Sequence, residues 1–446
     1  MITRIEVNGF KSLAEFSLDL RQGLNVLVGP NGGGKTNIVL FFEFLSTLVR
    51  TDVSEAISRL GGAGAVFRRI GDKNFQETIQ ATVYGCQLIN KNKFCHYKYF
   101  FEILFTTELE SVVFKKQSLN INIGKSFVEA EDNLNKKILW KIVIEQNFKN
   151  DMKPEVIVKA KNPKNFFLFQ DDRKEKNDSN IMLQVRNLIA RMSSAQVSLL
   201  QLLFRFDPIF IPVFQDMVSG EIYNIVPSKV IIPEDSSKAA GIAKDGSGLS
   251  ATLYAIKMKK GITDRHIPTF YKRNLITKLS LEDLQKYINL ANNSIDAIDV
   301  ANDTFNNQLK VTLKIVNADY TAILPLSSMS DGTIKWIAMI TAVFTTKSMF
   351  AIEEPENYLH PLMQSQILDI MRNIHTERRD YSFSLITTHS ETILNSCNPE
   401  ELIVVSFSEG KTYAKRCSNK NELKDEIKRT GFGLGYYYLA GAIENE

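Results

Sequence analysis

The sequence predicts an α/β protein: a mostly parallel sheet with crossover helices, joined to an antiparallel β-lobe and a helical insertion. Three observations predict it. A glycine-rich phosphate loop, Gly29-Pro30-Asn31-Gly32-Gly33-Gly34-Lys35-Thr36, stands between a short apolar run and a strongly apolar helix candidate. The stretch from Thr78 to Phe114 is β-branched, aromatic and patterned with period two. In the last third of the chain, apolar strand candidates end in polar residues, the place where open parallel sheets bind ligands.

Bulk properties narrow the class. With 446 residues, 44% of them hydrophobic and 23% charged, the chain has the length for two or three domains of an ordinary soluble protein. Its net charge of +4 neither demands nor excludes nucleic acid. Cys86, Cys95, Cys397 and Cys417 form no C-x-x-C pair, so reduced thiols and a cytoplasmic location are expected. Arg4, Glu6, Lys11 and Glu15 interrupt any amino-terminal apolar run, and Ser198 to Phe214 carries Arg205, Asp207 and two prolines. No membrane span is expected.

In chain order, Ile2 to Val7 and Ala14 to Leu20 alternate around Asn8-Gly9 as a hairpin-like opening. Leu24 to Val28 is the buried strand into the phosphate loop. Asn37 to Leu48 follows as a helix apolar nearly all round, suited to a place between a sheet and another layer. Gly61-Gly62-Ala63-Gly64 with Phe67-Arg68-Arg69 reads as a flexible basic loop that reaches phosphates or faces water. The β-lobe has polar turns at Asn90 to Lys93 and Thr106 to Thr107. Ser118 to about Lys176 turns lysine- and asparagine-rich, and Gln170 to Asn180 reads as a linker. Helical spacing from Ile181 opens a segment broken by Pro208, Pro212, Pro227 and Pro233. The resulting division is 1–177 (phosphate loop and lobe), 178–300 (helical insertion) and 301–446.

The last segment alternates strands and helices. Gln308 to Val316 is a strand candidate, Ile334 to Phe344 an apolar helix, Ser348 to Ile352 a buried strand and Pro361 to His375 an amphipathic helix. Phe383 to Thr387 is a further buried strand, and Leu402 to Phe407 with Lys411 to Lys415 form a hairpin around Glu409-Gly410.

The chemistry collects at the strand tips. Loop amides of Gly29 to Gly34 cradle phosphates, Lys35 neutralises them, Thr36 ligates Mg²⁺, and Asn37 opens the helix beside them. The strand Ser348 to Ile352 discharges Glu353-Glu354-Pro355-Glu356. We assign Glu353 to the metal and Glu354 to polarising the attacking water as general base. His389, after the next strand, is placed to hydrogen-bond the γ-phosphate or that water. Ser330-Asp331-Gly332 precedes a helix whose free amides form a second anion site. ATP and Mg²⁺ are the expected ligands.

The ordered set G-P-N-G-G-G-K-T, M-S-D-G-T, F-A-I-E-E-P-E-N-Y-L-H-P and T-T-H-S resembles the SMC/RecF-like branch of ABC ATPases. More closely it resembles the OLD-like ATPases of bacterial anti-phage systems of the Septu, retron-associated and PARIS kinds. The resemblance implies a P-loop NTPase of ABC type that hydrolyses ATP as a homodimer or higher oligomer. It implies that Ser330 and Gly332 form the signature against the γ-phosphate held by a second protomer, and that Glu354 and His389 complete each site. It also implies a loop glutamine near the metal, for which Gln76 and Gln80 both qualify. Two departures stand out: Glu353 replaces the usual aspartate, and no D-x-D follows Ser408-Glu409-Gly410, so no Toprim nuclease domain is expected. The implied role is sensor or regulator of a separate effector, a nuclease or toxin from the same operon. A RecF-like DNA-repair clamp and an ATP-gated scaffold with little hydrolysis are the alternatives. DNA or RNA is a further candidate partner, through Arg68, Arg69 and the lysines from Lys136 to Lys164.

Overall fold

The computed structural model describes all residues except 72–73, 91–92, 107–110, 125–139, 149–152, 162–177, 206, 219, 260–278, 291, 319, 347–348, 379–381 and 444–446. At its centre is a six-stranded sheet in the order Lys411–Arg416, Leu402–Ser408, Gly23–Val28, Phe383–Thr388, Phe350–Glu353 and Glu221–Tyr223. Every neighbouring pair is parallel except the Leu402–Ser408 hairpin with Lys411–Arg416. Parallel strands need crossovers, supplied in this half by the helices Lys35–Leu48 and Pro361–Arg378. A phosphate loop set between a buried parallel strand and the helix that follows it is the P-loop NTPase fold.

Both faces of the central sheet are covered, and its side chains divide between two cores with a period of two. Leu27, Ala351, Leu385, Ile403 and Val405 enter one core; Val26, Val28, Ile352, Ile386 and Leu402 enter the other. The first core lies under a seven-stranded antiparallel sheet, ordered Phe16–Asp19, Ile2–Asn8, Thr78–Asn90, Lys93–Thr106, Ser111–Gly124, Trp140–Phe148 and Pro154–Lys161. Helix Lys35–Leu48 is embedded in it, with Phe41 5.4 Å from Phe10 and Phe42 6.0 Å from Phe383 between ring centroids. Its all-round apolar surface is thereby explained: one side meets the parallel sheet and the other the lobe. The second core joins helices Leu249–Lys257, Asp331–Thr345 and Pro361–Arg378 to a four-stranded sheet of Glu234–Asp235, Ile295–Asp303, Gln308–Asn317 and Tyr320–Pro325.

Two local expectations differ from what is found, and one stretch given no elements from sequence has them. The lysine- and asparagine-rich stretch after Ser118 contains lobe strands, because Leu119, Ile121 and Ile123 pair across to Ile144, Ile142 and Trp140 and bury one face. The glycine-rich segment before Arg68 holds a one-turn helix, Ala63–Val66, anchored by buried Val66 and Phe67. The segment expected as a helical insertion supplies strands as well as helices, and Glu221–Tyr223 forms the edge of the central sheet. Three residues are too few to show a period. Of the expected linker, 170–177 lies outside the described residues, and helix Asp178–Met192 starts within its remainder.

Candidate active site

The register of the parallel strands sets the site. Glu353 lies beside Thr387, and Thr388 beside Val28, so the strand-tip acid, the histidine turn and the start of the phosphate loop end level with one another. Glycine is required in the loop for two reasons. Gly32 and Gly34 have φ of +77° and +100°. At Gly29, a Cβ would stand 2.0 Å from the Val405 carbonyl oxygen, and at Gly34 one would stand 2.0 Å from Thr412 Oγ1. The carboxy-terminal hairpin therefore seals one side of the loop.

A polar clasp holds that seal. Ser12 Oγ and Thr412 Oγ1 share a hydrogen bond of 2.6 Å, the Thr412 amide donates to the Ser12 carbonyl at 2.9 Å, and Asn37 Nδ2 donates to Ser12 Oγ at 2.7 Å. Asn37, expected beside the nucleotide, thus has its amide turned to the clasp. Lys35 is buried, and its Nζ donates to the carbonyls of Gly29 (2.8 Å) and Pro30 (3.1 Å). Burial lowers its pKa, while Glu354 and Glu356 act in the opposite direction. The helix it opens has no acidic residue in its first turn and no side-chain cap, which leaves its positive end to an anion.

Glu353 and Glu354 are adjacent in sequence but sit in different surroundings. Glu353 is 8% exposed and accepts a hydrogen bond from the Thr36 side chain. Its pKa is raised chiefly by burial; the charge of Lys244 and the Thr36 bond pull it down. Lys244 is itself held by Glu43 at 2.6 Å. A hydroxyl and a carboxylate are the hard oxygen donors that Mg²⁺ takes, and among the described residues no cluster of three acids, histidines or cysteines forms a protein cage. That set fits Mg²⁺ completed by phosphate oxygens and water.

Glu354 leaves the strand through a left-handed turn, φ +43°, that its own backbone pins: its amide donates to the Thr387 carbonyl at 3.0 Å. The turn carries its side chain outward, to 46% exposure and within 3.9 Å of His389 Nε2, and Asn357 Nδ2 donates to its Oε2 at 2.9 Å. The pKa of His389 is lowered, first by burial and then by Lys35, so the imidazole is neutral at pH 7. Glu356 fixes the histidine turn from below: its Oε1 accepts from Thr388 Oγ1 (2.9 Å) and from the His389 amide (2.8 Å). The arrangement offers a half-exposed carboxylate and a neutral imidazole facing the space above Lys35, with a buried acid and Thr36 beside it. That is the equipment for orienting water against a metal-bound phosphate.

Ser330 caps helix Asp331–Thr345, its Oγ accepting from the Thr333 amide at 3.4 Å, and it is exposed. Gly332 lies against the turn after Glu354, where a Cβ would stand 2.6 Å from the Tyr358 carbonyl oxygen. Of the two candidate glutamines, Gln80 lines a cavity of about 360 Å³ on the outer face of the lobe with Glu6 and Phe100. Gln76 instead packs against Gly9, before the Ser12 clasp, with its backbone N–H donating to the Arg68 carbonyl at 2.8 Å. Among the described residues the basic candidates do not form one surface. Arg68 is bonded to Gly9 near one edge of the lobe sheet and Arg69 lies over Phe75, whereas Lys141, Lys159 and Lys161 sit on the strands at the opposite edge. Lys136, Lys137, Lys149 and Lys164 lie outside the described residues.

Sequence reasoning missed Ser12, Thr412, Lys244 and Lys335, and it named Glu356 among the strand-tip acids without a role. Lys335 left a trace, as the one charge in I-K-W-I-A-M-I. Its side chain is 1% exposed, and burial pulls its pKa down to about 8 against the supporting charges of Glu356 and Glu354. An unfolded lysine keeps its proton to about 10.4. Between these values the folded state sheds a proton that the unfolded state keeps, so stability rises with pH across that window. Relative to Lys335→Met, the wild-type protein should gain about 2 kcal/mol from pH 7 to pH 9.5. Denaturant midpoints of the two proteins at both pH values measure it; a constant difference would mean that the ammonium is not desolvated.

Comparison with known proteins yields matches in both halves. Residues 1–201 match a family described as "AAA ATPase domain", and residues 228–395 match one described as "AAA domain, putative AbiEii toxin, Type IV TA system". The first region holds the phosphate loop, the second Ser330, Glu353, Glu354 and His389. A chromosome partition protein Smc of Methanocaldococcus jannaschii is 50% identical over 38 residues, 8% of this chain and 3% of that protein's length. Among solved structures, an Smc head bound to the C-terminal winged-helix domain of ScpA has a TM-score of 0.45 and 14% identity over 95% of this chain and 99% of that one. An Smc head with extended coiled coil, bound to the C-terminal domain of ScpA and derived from Pyrococcus furiosus, has 0.43 and 12% over 96% and 99%. The SMC head of Thermotoga maritima has 0.39 and 10% over 93% and 98%. Among the described residues no helix is long and apolar enough to cross a membrane.

Proposed function

We propose, from ATPase-type sequence in both halves and a P-loop site completed by Glu354 and His389, that the protein hydrolyses ATP as a dimer closed around the nucleotide. Each ATP is held by Lys35, Thr36 and a Mg²⁺ on Glu353 in one protomer and capped by Ser330 and Gly332 of the other. The observation that carries this reading is the position of the Ser330 helix end. It is exposed and adjoins the turn after Glu354. A second copy's nucleotide is the natural occupant.

Ser330→Arg tests the geometry, because it places a long cation where the partner's phosphate must enter. Nucleotide binding should persist while ATP-dependent association and turnover are lost. Mixing it with Lys35→Ala should restore one composite site per heterodimer and a partial rate. Full activity of Ser330→Arg as a monomer would leave only a nucleotide-binding module.

The closed dimer, in the same reading, licenses a separate nuclease or toxin in anti-phage defence. Supporting it are the match of 228–395 to a family described with a toxin–antitoxin system and the likeness of the ordered motifs to OLD-like defence ATPases. Native mass measurement of the co-expressed operon products tests this role. The effector's association should differ between an ATP-trapped and an ATP-free form; equal association in both would remove the licensing step.

A further inference from the structure

We infer that Lys335 is a positioning residue for Glu354, fastening the helix that begins at Ser330 to the turn that carries the general base. Its Nζ donates to the Glu354 carbonyl oxygen at 3.1 Å and lies 5.8 Å from the centre of the Tyr358 ring. The same helix touches that turn a second time, where Gly332 packs against the Tyr358 carbonyl with no space for a Cβ. Glu354 is a non-glycine residue at φ +43°, a conformation that persists only when its surroundings hold it. Strand Phe383–Thr388 holds its amide through the Thr387 carbonyl, and its carbonyl accepts from Lys335 Nζ and, at 3.2 Å, from the Asn357 amide of the same turn. Without the lysine the carbonyl keeps only a bond from within its own turn, so the one hold on it from the Ser330 helix is gone and the turn can relax toward an ordinary extended backbone, carrying the carboxylate away from His389.

This inference rests on the reading of Glu354 as the base, and it adds a connection that reading lacks. In a dimer, the helix end that caps one nucleotide belongs to the protomer whose Glu354 serves the other. Lys335 joins the two through a single buried side chain, so closure at one site bears directly on the base of the second.

The test is a double-mutant cycle in the full-length protein, read by steady-state ATPase kinetics and nucleotide binding. Lys335→Met should lower kcat by about 10- to 100-fold, the cost of misplacing a catalytic group by roughly 1 Å. ATP affinity should stay within about twofold, since Lys35 and Thr36 are untouched. In a Glu354→Gln background the same substitution should change turnover by less than about threefold, because the group it positions is already gone. Wild-type kcat in Lys335→Met, a loss that appears only in ATP affinity, or independent losses in the double variant would overturn the inference. Should Lys335→Met not fold, Lys335→Gln enters the same cycle. Glu354→Gln with undiminished turnover would instead defeat the base assignment itself, an outcome distinct from those three.

Discussion

Lys35→Ala abolishes ATP binding, with affinity falling at least about 100-fold. Lys35 is the one side-chain cation in the loop, and its ammonium stands in a dry site, bonded to the carbonyls of Gly29 and Pro30. A charge-assisted hydrogen bond contributes about 1.5–3 kcal/mol, and a lysine between two phosphates forms more than one. Losing about 3 kcal/mol is already a hundredfold in dissociation constant. Equilibrium binding of a fluorescent ATP analogue measures it, and a melting curve without nucleotide checks that the loop still folds. Unchanged affinity in a folded variant would remove the phosphate-loop assignment.

Glu354→Gln should bind ATP normally, accumulate as the nucleotide-bound dimer and turn over about 10²–10⁴-fold more slowly. The amide keeps the length of the side chain and an oxygen for Asn357, whose Nδ2 donates to Oε2 at 2.9 Å, but it takes up no proton from water. Glu353→Gln should act differently, because its carboxylate is buried against Thr36 and its loss weakens the Mg²⁺ dependence of binding. Single-turnover hydrolysis with size-exclusion chromatography separates the two variants. Retained turnover in Glu354→Gln together with loss in Glu353→Gln would exchange the two roles.

Much of the site was legible because its parts are local. The phosphate loop is a run of eight residues whose glycines, lysine and threonine each answer a backbone or charge requirement visible in the run itself. The acids after Ile352 and the histidine after Thr388 announce themselves by following buried apolar strands. Lobe strands after Ser118 were harder to see, since lysines and asparagines on the outer face masked an alternation that is present on the inner one. Glu221–Tyr223 offered no pattern at all.

By itself the sequence determined the fold class, the phosphate loop, the strand-tip acids, the histidine turn and the helix start at Ser330. Each depends on neighbours within a few residues, where sterics and hydrogen bonding act without regard to the rest of the chain. Tertiary structure alone decided that Thr412 closes the loop through Ser12 and Asn37, that Glu353 turns inward while Glu354 turns out, and that Lys335 reaches the Glu354 carbonyl. The clasp joins segments up to 400 positions apart. Such contacts follow from which parallel strands lie side by side and at what register. A one-dimensional pattern shows that a strand is buried but does not say which strand it lies against.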